Sequence, residues 1–259
     1  MRKQSKFQLV IIFLSGVALL FIIAPLAGLM FSSSISQLTE TVSDKEVQNS
    51  IYLTLSTAFF ATVVFSIAGI PLAYILARKE FPGKRIVSGI IDLPVVIPHT
   101  AAGIAILGII SRDSLVGKAA GTLGLDFIGN PVGISIAMAF VSVPFLLNAA
   151  RDGFASVPVR LEKAALNLGA SPVRVFFTIS LPLAKRNIIS GAIMMFARGM
   201  SEFGAVVIIA YHPMITPVLI YERFGAFGLK YAQPVAVIFV LVSLLFFIVL
   251  RMIAGRKTE

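Results

Sequence analysis

Residues 7–31 form an apolar run of the length that crosses a bilayer, about 20 to 25 residues, and they follow a basic start, Met-Arg-Lys-Gln-Ser-Lys. A cleavable leader would have an apolar core of only ~7 to 15 residues and then a small-residue cleavage site, so the run is predicted to be a span. Five more runs follow, over 51–77, 86–110, 132–150, 187–210 and 234–254. Six helical spans leave little chain for anything but connecting loops. Only 13% of the 259 residues are charged, against ~25% in an ordinary soluble domain. The expected fold is therefore all-α and integral to the membrane, a single domain over 1–259 with six transmembrane helices and a core over about 51–251.

The net charge of +10 would suggest nucleic acid in a soluble protein, but here the loops explain it and no nucleic-acid partner is expected. Six spans put both termini on one side. That side carries Arg2, Lys3, Lys6, Arg78, Lys79, Lys84, Arg85, Arg151, Arg160, Lys163, Arg174, Lys185, Arg186, Arg251, Arg256 and Lys257, sixteen of the 22 basic residues. The opposite side has Lys45, Arg112, Lys118, Arg223 and Lys230, and Arg198 lies within a run. The excess predicts cytoplasmic termini in a multi-pass protein of the cell membrane.

The loop over 151–186 falls on the same side and holds an unusual piece of chain. Leu161, Ala164, Ala165 and Leu168 repeat at i, i+3, i+4 and i+7, which places four apolar or small side chains on one helical face. Glu162, Lys163 and Asn167 are predicted off that face. Gly169 is suited to ending the helix in the left-handed conformation, and Ser171-Pro172 supplies an N-cap and first-turn proline for a second short helix. A shaped elbow with an unburied face is what a partner protein grips; a plain basic surface loop is the competing reading.

Ionisable groups also occur at membrane depth. Asp92 and His99 flank Pro94 and Pro98, each of which removes an N–H and disturbs the preceding turn, so the third span is predicted to bend or open there. The bend either lines a cavity or is an ordinary kink closed by Thr100 or a neighbour. Asp92 is placed to pair with Lys84 or Arg85, and His99 to bond within a dimer interface. Arg198 and Glu202, four apart, are expected to pair, either as a stiffening clamp or with Arg198, near Ser201, lending positive potential to an anion path.

Much chemistry is excluded. There is no cysteine, which removes disulfides and thiolate metal sites, and no metal site is expected. Neither Gly83-Lys84 nor Gly117-Lys118 is followed by Ser or Thr, so no phosphate-binding loop is present. The groupings of a metalloprotease or a serine hydrolase are missing as well, and the chain is expected not to be an enzyme.

The elbow resembles the cytoplasmic motif of ABC importer permeases, E-A-A, three residues, G, nine residues, I-x-L-P. Here it is Lys163-Ala164-Ala165, then Gly169, then Ile179-Ser180-Leu181-Pro182, with Lys163 where the motif has glutamate and Glu162 one place before. Phe196-Ala197-Arg198 with Glu202-Phe203-Gly204-Ala205 is similar to a stretch of molybdate, tungstate and sulfate permeases. Asp92-Leu93-Pro94 with Pro98-His99-Thr100 resembles a segment of molybdate and tungstate permeases. The resemblance implies a type I ABC importer-like permease subunit. Leu161, Glu162, Lys163, Ala164, Ala165, Leu168, Gly169, Ala170 and Ser171 would form its coupling helix. Asp92, Pro94, Pro98, His99, Thr100, Arg198, Ser201 and Glu202 would be path or intramembrane structural residues.

It further implies a homodimer, two ABC ATPase subunits that bind ATP and Mg, an extracytoplasmic oxyanion-binding protein, and no cofactor on this chain. Molybdate or tungstate is the expected cargo. Sulfate or thiosulfate is the alternative within the class. An ion-coupled secondary transporter using Asp92, His99, Arg198 and Glu202 as a relay is the alternative outside it.

Overall fold

The computed structural model describes residues 6–255, and Arg2, Lys3, Arg256 and Lys257 lie outside the described residues. Thirteen α-helices and one π-turn are present among them: α1 Lys6–Met30, α2 Ile35–Ser43, α3 Lys45–Arg78, α4 Lys84–Val96, α5 His99–Ile110, α6 Leu115–Thr122, α7 Pro131–Ser156, α8 Val159–Asn167, α9 Pro172–Val175, the π-turn Phe176–Ser180, α10 Leu181–Met200, α11 Gly204–Ile209, α12 Thr216–Phe227 and α13 Leu229–Gly255.

Four helices are long and apolar enough to cross a membrane, Phe7–Met30, Lys45–Arg78, Pro131–Ser156 and Leu229–Met252. The pair Lys84–Val96 and His99–Ile110 makes a fifth if it is one span, although the chain bends by 115° between the halves. The remaining stretch expected to span, 187–210, divides into α10 and α11, and α10 carries Lys185, Arg186 and Arg198. Charge and a break explain why it does not stand out as an apolar rod.

The bundle is built on α7, which packs against α10, α3, α11 and α4. Its start is capped by the Asn130 side chain, which accepts from Val132 N–H, with Pro131 in the first turn. Ile134, Met138, Leu146 and Phe154 of α7 are fully buried. Membrane helices gain little from apolar contact alone, since lipid is equally apolar, so close fit and polar ties between helices matter more. One such tie joins α3 to α12: Thr216 N–H donates to Thr54 Oγ1 at 2.8 Å, and the Thr216 hydroxyl lies 3.1 Å from Thr54 Oγ1 and 3.3 Å from Ser50 Oγ. All three residues are buried.

At the same end of α3, Arg223 of α12 reaches Asp44 at 2.6 Å and Glu46 at 3.0 Å. Arg223 and Asp44 border a cavity of about 570 Å³ that Glu40, Lys230 and Tyr231 also line. Burial pushes the Asp44 carboxyl up, but hydrogen bonds from Arg223 and the backbone, with the Arg223 charge, outweigh it and hold the group below its ordinary value. In contrast, α1 is exposed over residues 7–26 and rests only against α13 among the main helix contacts.

Candidate functional site

Two places deserve the name of candidate site: the elbow near the far end of α3, and the meeting of two broken helices inside the bundle.

The elbow forms as its sequence predicts. Helix α8 ends where Gly169 adopts φ +87°, and the chain closes with Ala170 N–H donating to Ala165 O and Gly169 N–H to Leu166 O, both 3.0 Å. Ser171 then caps α9 by accepting from Arg174 N–H, with Pro172 in the first turn. The apolar face is uncovered: Leu161 is 41% and Leu168 89% exposed, Ala164 is exposed, and Ala165 is half-buried. Lys163 is exposed.

Glu162 lies off the apolar face, as helical spacing places it, and there it is the buried side chain of α8. Arg78 Nε lies 3.0 and 2.9 Å from its two oxygens, and Arg78 Nη2 donates to Oε1 at 2.9 Å. The Ser180 hydroxyl donates to Oε1 at 2.7 Å. The face that α8 turns inward is thus chosen by one ion pair. Arg78 is 84 residues away, and no local pattern in the chain signals the contact.

Inside the bundle, the break between α4 and α5 falls at Ile97-Pro98, and Pro98 stands at the N-cap of α5. Pro94 does not break the chain; it lies buried within α4. Asp92 also departs from expectation: it accepts from Asn148 Nδ2 of α7 at 2.7 Å rather than pairing with Lys84, whose partner is Glu80 at 2.7 Å. The packing of α4 on α7 brings Asn148 to the half-buried carboxylate, while Lys84 is taken by Glu80 one turn away.

The second break, at Ser201 to Phe203, carries no proline. Glu202 produces it, because Oε1 accepts from Ala205 N–H at 2.9 Å and starts α11 afresh. Glu202 is fully buried, and Arg198 Nη2 lies 3.0 Å from Oε2. The expected pair therefore forms, but across the end of α10 rather than along one helix. His99 joins it: Nδ1 is 3.0 Å from Glu202 Oε2, and Arg198 Nη2 is 3.0 Å from Nδ1 and 2.9 Å from Nε2. The structure thus pairs His99 within its own chain. Thr100 is exposed, and Ser201 accepts from Arg198 Nη1 at 3.4 Å.

Oε2 of Glu202 lies 3.0 Å from Arg198 Nη2 and from His99 Nδ1 yet makes no hydrogen bond, since neither contact is aligned with it. Charge holds Arg198 there, and a guanidinium held without a bidentate fork turns away more readily than a forked one. The Arg198 side chain is 23% and that of His99 36% exposed, so the cationic outer face of the group is open while the carboxylate is sealed. Tight packing of α5 on α11 fixes this arrangement: a Cβ on Gly103 would lie 2.9 Å from Ala205 O. Among the described residues, no group of three or more His, Asp or Glu side chains is placed to hold a metal.

An all-helical bundle with discontinuous helices around a sealed ion pair, and an uncovered capped elbow at one end, defines a transporter's membrane subunit. The chain belongs to the family of binding-protein-dependent transport system inner membrane components, whose sequence profile matches residues 69–259. It is 43% identical to the molybdate/tungstate transport system permease protein WtpB of Thermococcus kodakarensis, over 92% of each chain. To the protein of that name in Methanocaldococcus jannaschii it is 42% identical, over 98% of this chain and 99% of that one. A probable sulfate transport system permease protein of Chlorokybus atmophyticus is 33% identical, over 74% of this chain and 68% of that one.

The fold matches that of a bacterial ABC transporter involved in the import of the acidic polysaccharide alginate. The TM-score is 0.76 at 18% identity, over 98% of this chain and 96% of that one. Inward-facing MetNI methionine ABC transporter gives a TM-score of 0.61 at 17% identity, over 80% and 94%. The type I importer-like fold expected from the sequence is the one found.

Proposed function

We propose that this chain is the permease subunit of an ABC importer that moves molybdate and tungstate across the cell membrane. The observation that carries the cargo is the 43% identity, across 92% of both chains, to a relative named for molybdate and tungstate. The working unit is a homodimer with two ATPase subunits, which bind ATP and Mg, and an extracytoplasmic oxyanion-binding protein. The termini and the elbow face the cytoplasm.

Residues 161–171 dock on the ATPase subunit through the uncovered face of α8. Because Lys163 is exposed and Glu162 is engaged inside the chain, the contact rests on the shape of Ala164, Ala165 and Gly169 rather than on a carboxylate. Within the bundle, Asp92, Pro94, Pro98 and Thr100 shape the break between α4 and α5. Arg198, with His99 and Ser201, presents N–H groups to a passing anion, and Glu202 restrains the guanidinium between passages. ATP-driven closure of the ATPase pair displaces the elbows and changes the side to which the cavity opens. The chain itself performs no covalent step.

The test is uptake by proteoliposomes holding this chain, its ATPase partner and binding protein. Expected is ATP-dependent accumulation of labelled molybdate, competed by tungstate and not by an equal concentration of sulfate. Preferential competition by sulfate would move the cargo to the sulfate branch. Uptake by this chain alone, driven by an ion gradient, would overturn the importer reading.

A further inference from the structure

Helix α8 has a peculiar anchorage. Its buried side chain is a carboxylate, Glu162, while its apolar positions face outward. Helices usually hold on through an apolar stripe and leave charges in water; α8 does the reverse. Its packing neighbours in the bundle are α9 and the π-turn, both of its own loop.

Glu162 reaches beyond that loop. Its partner Arg78 is the last residue of α3, a 34-residue helix that runs through the bundle from Lys45. The side chains are 8% and 9% exposed, so water screens the pair little. The guanidinium makes a second attachment, with Nη2 donating to Val157 O at 3.0 Å at the end of α7. The carboxylate also makes one, accepting from Ser180 at the end of the π-turn. An extra residue in a helical turn re-aims the side chains around it and recurs at functional positions; here Ser180 is fully buried against Glu162. One turn before Arg78, Tyr74 stacks edge-on against Phe176 of the π-turn, with centroids 5.0 Å apart. The last turn of α3 thus grips both parts of the elbow, α8 through the ion pair and the π-turn through Tyr74.

We propose that Arg78 and Glu162 are positioning residues for transport: they form the rigid tie by which displacement of α8 is delivered to α3. This rests on the permease reading above. A buried pair is a poor source of net stability compared with apolar packing, but it fixes register, because the charges tolerate few alternative partners. With the tie intact, α8 and the end of α3 move as one body through the ATP cycle. Without it, α8 stays on the ATPase subunit while α3 lags.

Two measurements on the full complex test this. This sequence has no cysteine, so Lys79→Cys and Arg160→Cys supply the only labelling sites on this chain, and the partner subunits are used in cysteine-free form. The spin-label distance between them should be the same without nucleotide and with ATP trapped; a change on trapping in the otherwise unaltered complex would overturn the tie, and this arm requires no disruption of the pair. In the second, molybdate moved per ATP hydrolysed is compared for the natural chain, Arg78→Lys, Arg78→Gln and Glu162→Gln, each corrected for assembled complex. Energetic coupling between sites is commonly worth ~5 to 150-fold. We expect both Gln variants to lose roughly tenfold or more in that ratio, with partial recovery in Arg78→Lys. An unchanged ratio in the Gln variants would overturn the tie alone. Failure of the natural chain to assemble with an ATPase would overturn the permease reading and the tie together, and uptake of another oxyanion would change the cargo and leave the tie standing.

Discussion

Gly204 and His99 approach so closely across the two helix breaks that a Cβ atom added to Gly204 would lie 2.8 Å from Cβ of His99. The next atoms it would meet, His99 C and Thr100 N at 3.4 Å, are backbone. No flexible side chain can move aside, so α5 and α11 must separate. Overpacking of this kind costs about 1–3 kcal/mol. Gly204→Ala should lower the thermal midpoint of the detergent-solubilised protein and reduce molybdate uptake. Gly225→Ala, where a new Cβ meets nothing within 4 Å, should leave both unchanged.

Removing Arg198 leaves the fully buried Glu202 carboxylate with His99 as its remaining close neighbour in the group. Breaking a buried pair from one side typically costs about 3–5 kcal/mol, whereas neutralising both partners is often tolerated. Arg198→Gln should therefore destabilise strongly, and Arg198→Gln with Glu202→Gln should recover much of the thermal midpoint. If Arg198 serves the anion path, uptake stays low in the recovered double variant. Uptake that returns with stability would make the pair a clamp and nothing more.

The tie between Asp44 and Arg223 predicts an acid sensitivity with a definite sign. A carboxyl held below its ordinary value of 3.8 contributes stability that is fully present above that value. The contribution fades as pH falls through the lower folded value. Melting curves taken from pH 6 into the acid range should therefore drop more steeply below pH 3.8 for the natural chain than for Asp44→Asn, the gap between the two narrowing as pH falls. Asp126, held low by its hydrogen bond to Arg112, adds a fall of the same sign, so the comparison has to be made in one background.

Local signals account for what the sequence shows of this fold. The long apolar rods of α3, α7 and α13 are visible in composition, and the elbow is visible in Gly169, Ser171 and Pro172, because caps and turns are decided by neighbouring residues. Pro98 likewise announces the first break. The second does not show, since a carboxylate that caps a new helix looks in sequence like a charge on a continuous one. The inward face of α8 is hidden for a related reason. Periodicity groups Leu161 and Leu168 on one face, but that Glu162 is the side chain drawn inward, leaving those leucines outward, depends on Arg78, distant in the chain. Asn148 as the partner of Asp92 is equally a matter of which helices meet.

That outward turn gives the docking surface its test. Leu168 is 89% exposed, so a substitution there meets little of the chain's own structure, while Ala165, one turn earlier on the same face, is half-buried and a substitution there is compared at equal thermal midpoint. Leu168→Ser should leave the thermal midpoint of the isolated subunit unchanged while lowering affinity for the ATPase subunit in detergent. Ala165→Phe should lower affinity further, because a ring replaces a methyl on a face shaped by small residues. Gly169→Ala acts differently: nothing lies within 4 Å of a new Cβ, but φ of +87° costs an L-residue about 1–2 kcal/mol. That strain shifts the angle between α8 and α9 rather than blocking contact. The expected order of ATPase affinity is natural chain, then Gly169→Ala and Leu168→Ser, then Ala165→Phe. Equal affinity across all four would place docking on another surface.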